Sequence, residues 1–527
     1  MSPDAPQPRS SELPALIADL RADLTAADYT VEGVHAVLGV DPGARDMVWL
    51  ALERDQLLPA RRALRGRTEP AAVLAGVFML GQGATRAALD AALPRAGVAG
   101  ALRLGLLAAD GPGAQDEVRA AVDLRPYSAT DAAGDAAWWV VSDLGEVVTG
   151  QELGVDHVLG IGGASTTLAQ STVRTPVGSV LDVGTGCGVQ ALHASRHARR
   201  IVATDTSERA LDLAAVNAAL NGLELDLRAG SLLEPVRPGE RFDLVVSNPP
   251  FVITPRTGAV PTYEYRDGGM AGDSLVATLV GGLEDVLAPG GVAQLLANWE
   301  LREGEDWREH VEAWIPAGLD AWVVQREVAD PALYAETWIR DGGTHPGRAR
   351  PGGPDFEALY GAWLDDFAAR DITRVGFGIL TLRRPLDPAR PRLRRFEEAL
   401  QTITSPLGEV FAAGLAAHDA LAGLDDAALL DRVLTVAPDV TDERFHTPGE
   451  PDPRVILLRQ GGGWQRAVQA GSDLAAVVGA CDGELTVGQI VAGLAVLTDR
   501  DPTEVAAGLV ASVRDLVGDG LLLLDRA

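Results

Sequence analysis

The chain has 527 residues, which predicts roughly two to four domains rather than one core. Its 47% hydrophobic and 23% charged residues fit a folded soluble protein, and apolar stretches such as Ala71 to Gly81 fall short of the roughly 20 residues a membrane helix needs. A formal charge of −29 argues against a broad nucleic-acid-binding face and leaves only local arginine clusters, at Arg61 to Arg67, His197 to Arg200 and Arg383 to Arg395.

The start, "MSPDAPQPRSSELP", is polar and lacks a charged-then-apolar signal pattern, so residues 1–15 are expected to form a disordered tail. With only two cysteines, Cys187 and Cys481, the chain fits the cytoplasm. Residues 16–150 read as short helices followed by the strands "VRAAVDLRPY" and "AAWWVVSDL". That order predicts a hairpin and a helical, winged-helix-like domain, which fixes no function.

From Gly178 strands alternate with helices, the signature of a parallel sheet, and residues 151–390 are expected to form one α/β domain. "GSVLDVG", "RIVATD", "LDLRAGS", "FDLVVSN" and "GVAQLLAN" read as its first five strands, and "WVVQREV" and "VGFGILTLRRP" finish it. "VQALHASRHA" and "SERALDLAAVNAALNG" read as helices, the second with a serine start and an Asn-Gly stop. A helical connector is expected over 391–450 and a small winged-helix-like module over 451–527. In that module the strand "VILLR" precedes a helix begun by Ser472, and Asp501, Pro502 and Glu504 predict a capping box on the last helix.

"VLDVGTGCGVQAL" puts Asp182 at a strand end and Gly184, Gly186 and Gly188 in the turn to a helix. This is the usual place for an adenosine-bearing cofactor at the carboxyl edge of such a sheet. Asp205, at the end of the next strand, is placed to accept ribose hydroxyls. The spacing is GxGxG rather than GxGxxG, and an acid before the turn would repel a pyrophosphate but suits the ammonium of S-adenosylmethionine. Cys187 reads as a small residue that fits the turn. His193 and His197 share a helix face at i, i+4, but with no third ligand and no HExxH glutamate they predict no metal site.

"FDLVVSNPPFVI" ends a buried strand on Ser247, Asn248, Pro249, Pro250 and Phe251. Taken in order, "DVGTGCG", "ATDTSERALDLAAVNAALNG" and "SNPPF" make Gly178 to Pro385 resemble the class I S-adenosylmethionine-dependent methyltransferases. The closer likeness is to the branch with an N-P-P-F/Y motif, whose members methylate adenine N6, ribosomal guanine N2 or the glutamine amide of release factors. The resemblance implies a Rossmann-like, seven-stranded core carrying the helical N- and C-terminal units. It also implies a cofactor held by Asp182, Gly184, Thr185, Gly186, Gly188, Asp205, Thr206, Ser231, Leu232 and Asn248, and catalysis by Asn248, Pro249, Pro250 and Phe251. Ser231 stands where many relatives carry an Asp, and Phe251 where the release-factor enzymes carry Tyr, a lean towards the RNA-directed relatives. "TYEYRDGGMAGDSL" is instead similar to a segment of the glutamine enzymes.

The chemistry follows from the motif. An exocyclic amine or carboxamide nitrogen has a delocalised lone pair. Acceptors aimed at its two N–H bonds orient that lone pair and stabilise the positive charge that develops. The Asn248 side-chain oxygen and the Pro249 carbonyl fit these roles, and Phe251 offers a flat face to a planar group. Tyr263, Tyr265, Arg266 and Asp267 follow in a polar loop that would cover the substrate, and Ser165, Thr166 and Thr167 would line the methionine end of the cofactor.

The reading is N-methylation of a planar nitrogen, first an exocyclic base amine of ribosomal or transfer RNA. A glutamine side chain of a translation protein and a small molecule or peptide are the alternatives, and a cofactor-binding regulator without turnover is the non-enzyme one. "CDGELTVGQIVAGL" with "LVGDGLLLL" resembles the small peptide-binding modules of ribosomal-peptide biosynthesis, while its plainer reading is a structural cap.

Overall fold

The computed structural model describes residues 13–41, 46–131, 133–151, 153–256, 260–347 and 355–524. Residues 1–12 of the expected tail lie outside these, and a helix already runs over Leu13–Ala26.

Short helices occupy most of the chain up to Arg103, with three small strands beside them: β1 (Ala84–Thr85), β2 (Leu107–Ala109) and β3 (Glu117–Ala120), in the antiparallel order β1-β3-β2. The expected hairpin forms from β4 (Asp123–Asp131) and β5 (Gly134–Ser142), with nine residue pairs in register. "VRA" (Val118 to Ala120) is not part of it and belongs to β3.

The large sheet contains β6 (Val177–Val183), β7 (Ala198–Asp205), β8 (Asp226–Ala229), β9 (Phe242–Ser247), β10 (Leu287–Arg302), β11 (Asp320–Ala329), β12 (Ile372–Arg383) and β13 (Arg394–Glu398). Their order is β13-β11-β12-β10-β9-β6-β7-β8. All seven strands read from the sequence are present, and β6 to β9 pair in parallel, as do β9 and β10. The eighth, β13, is the edge segment "RRFEE", whose charges hide any strand alternation and suit an edge.

Helix Glu208–Leu220 starts on a Ser207 side-chain cap and stops at Asn221, as its ends predict. Helix Val189–Ala194 is shorter than "VQALHASRHA" suggests. It stops before His197, and β7 already begins at Ala198. His193 and His197 therefore share no helix face. His193 instead meets the Tyr127 hydroxyl of β4 at 2.9 Å.

By its internal contacts the chain forms two compact units, the first comprising 1–169, 176–316 and 327–379 and the second 170–175, 317–326 and 380–527. In the first, N-terminal residues such as Leu20, Leu24 and Phe78, hairpin residues Leu124 and Val141, and Val189, Leu192, Leu213 and Leu220 of the α/β part share one apolar core. A smaller core joins Val252 and Ile253 to Tyr334, Trp363 and Phe367.

In the second unit β14 (Val433–Val436) lies between β18 (Asp482–Thr486) and β19 (Leu522–Leu524), while β15 (Val440–His446), β16 (Pro453–Gln460) and β17 (Ala467–Ala470) form another sheet. The span 391–450 thus holds strands as well as helices, and residues on both sides of 450 share the core of Leu434, Leu458, Val477 and Val513. Asp501 caps the last helix through the Thr503 and Glu504 amides. The reciprocal box forms one helix earlier, between Thr486 and Gln489.

Candidate active site

The turn after β6 is built by backbone. The Gly184 and Thr185 amides both donate to the Thr204 carbonyl of β7 at 2.9 Å, which folds the chain back over the sheet edge. Gly184 and Gly186 have φ of 69° and 56°, and an added Cβ at either meets no atom within 4 Å. The turn therefore fronts a clear space, the cradle a ligand needs. Asp205 closes the turn, accepting the Gly186 amide at 2.8 Å on one oxygen and the Ser207 amide at 2.9 Å on the other. Burial raises its carboxyl, and those amides hold it back.

Asp182 lies beneath the turn with no exposed surface. One carboxylate oxygen accepts from the Thr185 hydroxyl at 2.6 Å, and the other has no hydrogen bond of normal geometry among the described residues. Burial pushes this carboxyl up to about 7, Asp205 adds to the rise, and the Thr185 bond and the Ala191 amide oppose it. A buried carboxylate beside an open glycine cradle, with Asp205 closing the turn, fits S-adenosylmethionine: Asp182 would suit its ammonium and Asp205 its ribose. Thr206 stands exposed at the end of β7. At the end of β8, Gly230 donates to the Asp205 carbonyl at 3.0 Å, Ser231 is exposed and Leu232 takes φ of 48°. Ser165 joins the same edge, its carbonyl accepting from Gln190 at 2.8 Å. Ser165, Thr166 and Thr167 sit in helix Gly163–Ser171.

Asn217 is a residue that sequence reading missed. On helix Glu208–Leu220 its amide accepts from the Val141 amide at 2.7 Å and donates to the Val141 carbonyl at 2.9 Å and the Cys187 carbonyl at 2.7 Å. Asn221, one turn on, does the same to both backbone groups of Trp139 at 2.9 and 2.8 Å. The i, i+4 asparagines in "VNAALNG" are the available signal, and they bind hairpin strand β5 to the helix behind the cofactor turn.

β9 delivers the other half. The Ser247 hydroxyl donates to the Val183 carbonyl at 2.8 Å, which fixes the tips of β9 and β6 side by side. Asn248 follows, with its side-chain oxygen buried and lacking a hydrogen-bond partner among the described residues. An acceptor oxygen in that state is costly unless a donor arrives. Pro249 and Pro250 carry no amide hydrogen to compete. Half-buried Phe251 bridges to Asp267 and meets the Trp338 ring edge-on at 6.5 Å between centroids.

The segment after the motif is not the open polar loop its sequence suggests. Tyr263, Arg266 and Asp267 are buried. Arg266 donates to the Trp338 carbonyl at 2.6 Å and to Asp341 at 2.9 Å, with its guanidinium 4.5 Å from the Tyr263 ring centre. Tyr265 donates to Asp341 at 2.9 Å, and Asp267 pairs with Arg256 at 2.7 Å. These groups hold helix Pro331–Asp341 against the motif.

Residues 158–262 match the family model of the methyltransferase small domain, and residues 26–121 that of a domain of unknown function (DUF7059). The chain is 34% identical over 174 residues to the ribosomal protein uL3 glutamine methyltransferase of Bordetella pertussis, covering 31% of this chain and 55% of that one. It is 38% identical over 123 residues to the release factor glutamine methyltransferase of Geobacter sulfurreducens (21% and 43%). To the ribosomal RNA small subunit methyltransferase C of Alcanivorax borkumensis it is 32% identical over 124 residues (24% and 33%). The chain thus spans about half the length, or less, of these curated relatives. Among solved structures, the T. thermophilus 16S rRNA N2 G1207 methyltransferase in complex with AdoMet and guanosine aligns at 18% identity and a TM-score of 0.25, over 51% of this chain and 66% of that one. The α/β part is Rossmann-like, with the strand order β10-β9-β6-β7-β8 within its sheet, and β6 to β9 lie within the match to the methyltransferase small domain, as does Asn248-Pro249-Pro250-Phe251 after β9.

Proposed function

We propose that this protein is a cytoplasmic S-adenosylmethionine-dependent N-methyltransferase acting on a planar amine or amide nitrogen. The observation that carries the proposal is the buried, unpartnered oxygen of Asn248 at the tip of β9, beside the cradle after β6. The cofactor supplies a sulfonium methyl, already a strong electrophile. The chain's task is to hold the acceptor nitrogen: the Asn248 oxygen and the Pro249 carbonyl take its two N–H bonds and turn its lone pair outward. As the nitrogen becomes positive, both acceptors stabilise it without moving. Phe251 supports the planar group edge to face or by stacking.

An exocyclic base amine of ribosomal or transfer RNA is the first acceptor, with Phe251 as its platform. A glutamine side-chain amide of a translation protein is the second. The second is supported by the fate of the arginines, several of which are engaged by groups of the chain itself. Arg61 holds the Leu80 carbonyl, Arg200 pairs with Glu240, Arg383 with Asp320 and Asp419, and Arg395 with Glu397 and Asp519. The names of the glutamine-directed relatives point the same way.

The test uses methyl-labelled cofactor and extract from cells lacking this protein, comparing the wild type with Asn248→Ala. Turnover in the variant is expected to fall by roughly 10²–10³ while the cofactor still binds. The fraction that takes label, RNA or protein, names the acceptor. Equal labelling by both proteins would remove the mechanism, and no label from a cofactor-binding wild type would favour a regulator.

A further inference from the structure

Between β11 and β12 the chain makes an excursion over residues 330–371, which carries helices Pro331–Asp341 and Phe356–Ala369. Asp330 caps the first and Asp355 the second, so both helices are locally specified. Helix Pro331–Asp341 faces the N-P-P-F segment, held at its end by Tyr265 and Arg266 and from within by one buried polar atom. The hydroxyl of Tyr334, a residue 1% exposed, lies 3.0 Å from the Ile253 amide and 2.8 Å from the Asn298 side-chain nitrogen.

Ile253 is two residues beyond Phe251, and Asn298 is in β10, the neighbour of β9. A single phenol oxygen therefore accepts donors from both segments that frame the motif. Its ring is fixed by Trp338 at 6.0 Å, Trp363 at 6.0 Å, Phe367 at 5.8 Å and Phe377 at 5.5 Å between centroids. Burial pushes the phenol well above its ordinary range, so it stays neutral at any working pH. The adjacent Val252 amide is held independently, by the Arg266 carbonyl at 2.8 Å.

We infer that Tyr334 is a positioning residue for methyl transfer: by accepting from Ile253 and Asn298 at once, its hydroxyl sets the distance between the end of the N-P-P-F segment and β10, and so the aim of Asn248 and Pro249. The inference rests on the proposed activity. It gives the 330–371 excursion a task, since the phenol that completes the catalytic frame comes from there. A misplacement of about 1 Å at a site of this kind costs on the order of a hundredfold in rate.

Tyr334→Phe keeps the ring and deletes only the shared acceptor. The expected result is a kcat lower by about ten- to a hundredfold, with cofactor Kd within twofold of wild type and faster amide hydrogen exchange in a peptide spanning 249–254. Asn298→Ala, which removes one of the two donors, should move kcat and exchange in the same direction by a smaller amount and serves if Tyr334→Phe does not fold. Trp363→Phe loosens the same aromatic cluster but keeps the phenol hydroxyl, so it should lower stability while costing far less kcat than Tyr334→Phe does. Wild-type kcat and exchange in Tyr334→Phe would overturn the inference. Equal loss of kcat in Tyr334→Phe and Trp363→Phe would also overturn it, by reducing the effect to packing. If exchange responds as expected but wild-type protein transfers no methyl group, it is the proposed activity that falls.

Discussion

At neutral pH Asp182 stands near the middle of its titration, because burial pushes its carboxyl up to about 7 and the Thr185 hydroxyl satisfies only one of its oxygens. An ammonium brought beside the other oxygen restores the charge that burial penalises. If Asp182 holds the cofactor's ammonium, binding requires the ionised carboxylate, and the protonated form must first lose its proton. Cofactor affinity should rise about tenfold per pH unit from pH 5 towards 7, level off, and fall above about 8 as an α-amino group loses its own proton. Asp182→Asn can still accept from Thr185, so it tests charge rather than shape. It should bind more weakly at pH 7.5 and lose the rising limb. Titration calorimetry across pH 5.5–8.5 measures both, and an Asn variant that kept the rising limb would show that another group controls it.

The elements that frame the site differ in how openly their sequence declares them. β6, β7 and β9 are legible because each carries an apolar run that ends at a Gly, Asp or Asn-Pro signal, and helix Glu208–Leu220 because Ser207 and Asn221 mark its ends. The paired helices of 330–371 carry equally local signals in Asp330-Pro331 and Asp355. Their task is hidden, because the burial of Tyr263 and Arg266 is set by what helix Pro331–Asp341 offers them and not by their own loop. The span after Ala194 misleads in the other direction, since "HASRHARR" keeps helix-compatible residues where the chain must already turn into β7. Asn217 and Asn221 read as a helix tail, yet they complete backbone bonds of β5. Their contrast makes a prediction. Asn217→Ala leaves the backbone groups of Val141 and the Cys187 carbonyl without this partner and should cost about 3 kcal/mol in urea unfolding. It should also weaken cofactor binding, because Cys187 lies in the glycine turn. Asn221→Ala disturbs the same hairpin at Trp139 without reaching the turn, so stability should fall while cofactor affinity holds. Equal cofactor affinity in both variants would detach Asn217 from the cofactor turn.

For the whole molecule, the Pro-rich "HTPGEPDPR" reads as a linker before a removable final module, and the strand pairing says otherwise. β14, before that segment, takes β18 on one side and β19 on the other, with Leu434 opposite Leu524 and Val433 opposite Thr486. Leu429 and Leu434, both fully buried, share their core with Val477, Val487, Val513 and Leu521. A cut at residue 451 therefore removes both sheet partners of β14 and most of the core around it, while leaving its apolar residues on the chain. Loss of activity in such a truncation would report an opened core and would say nothing about whether the module holds a leader peptide. Protein lacking 451–527 should bind a hydrophobic dye strongly, aggregate on warming and lose the cooperative transition of the second unit. Leu434→Ala in the full chain should show the same weakness in milder form, a loss of about 2–5 kcal/mol. Dye fluorescence and urea melts of the two proteins check this. A truncated protein with no added dye binding would mean that the residues before 451 keep a core of their own, and the module would then be free to serve as a separable binding domain.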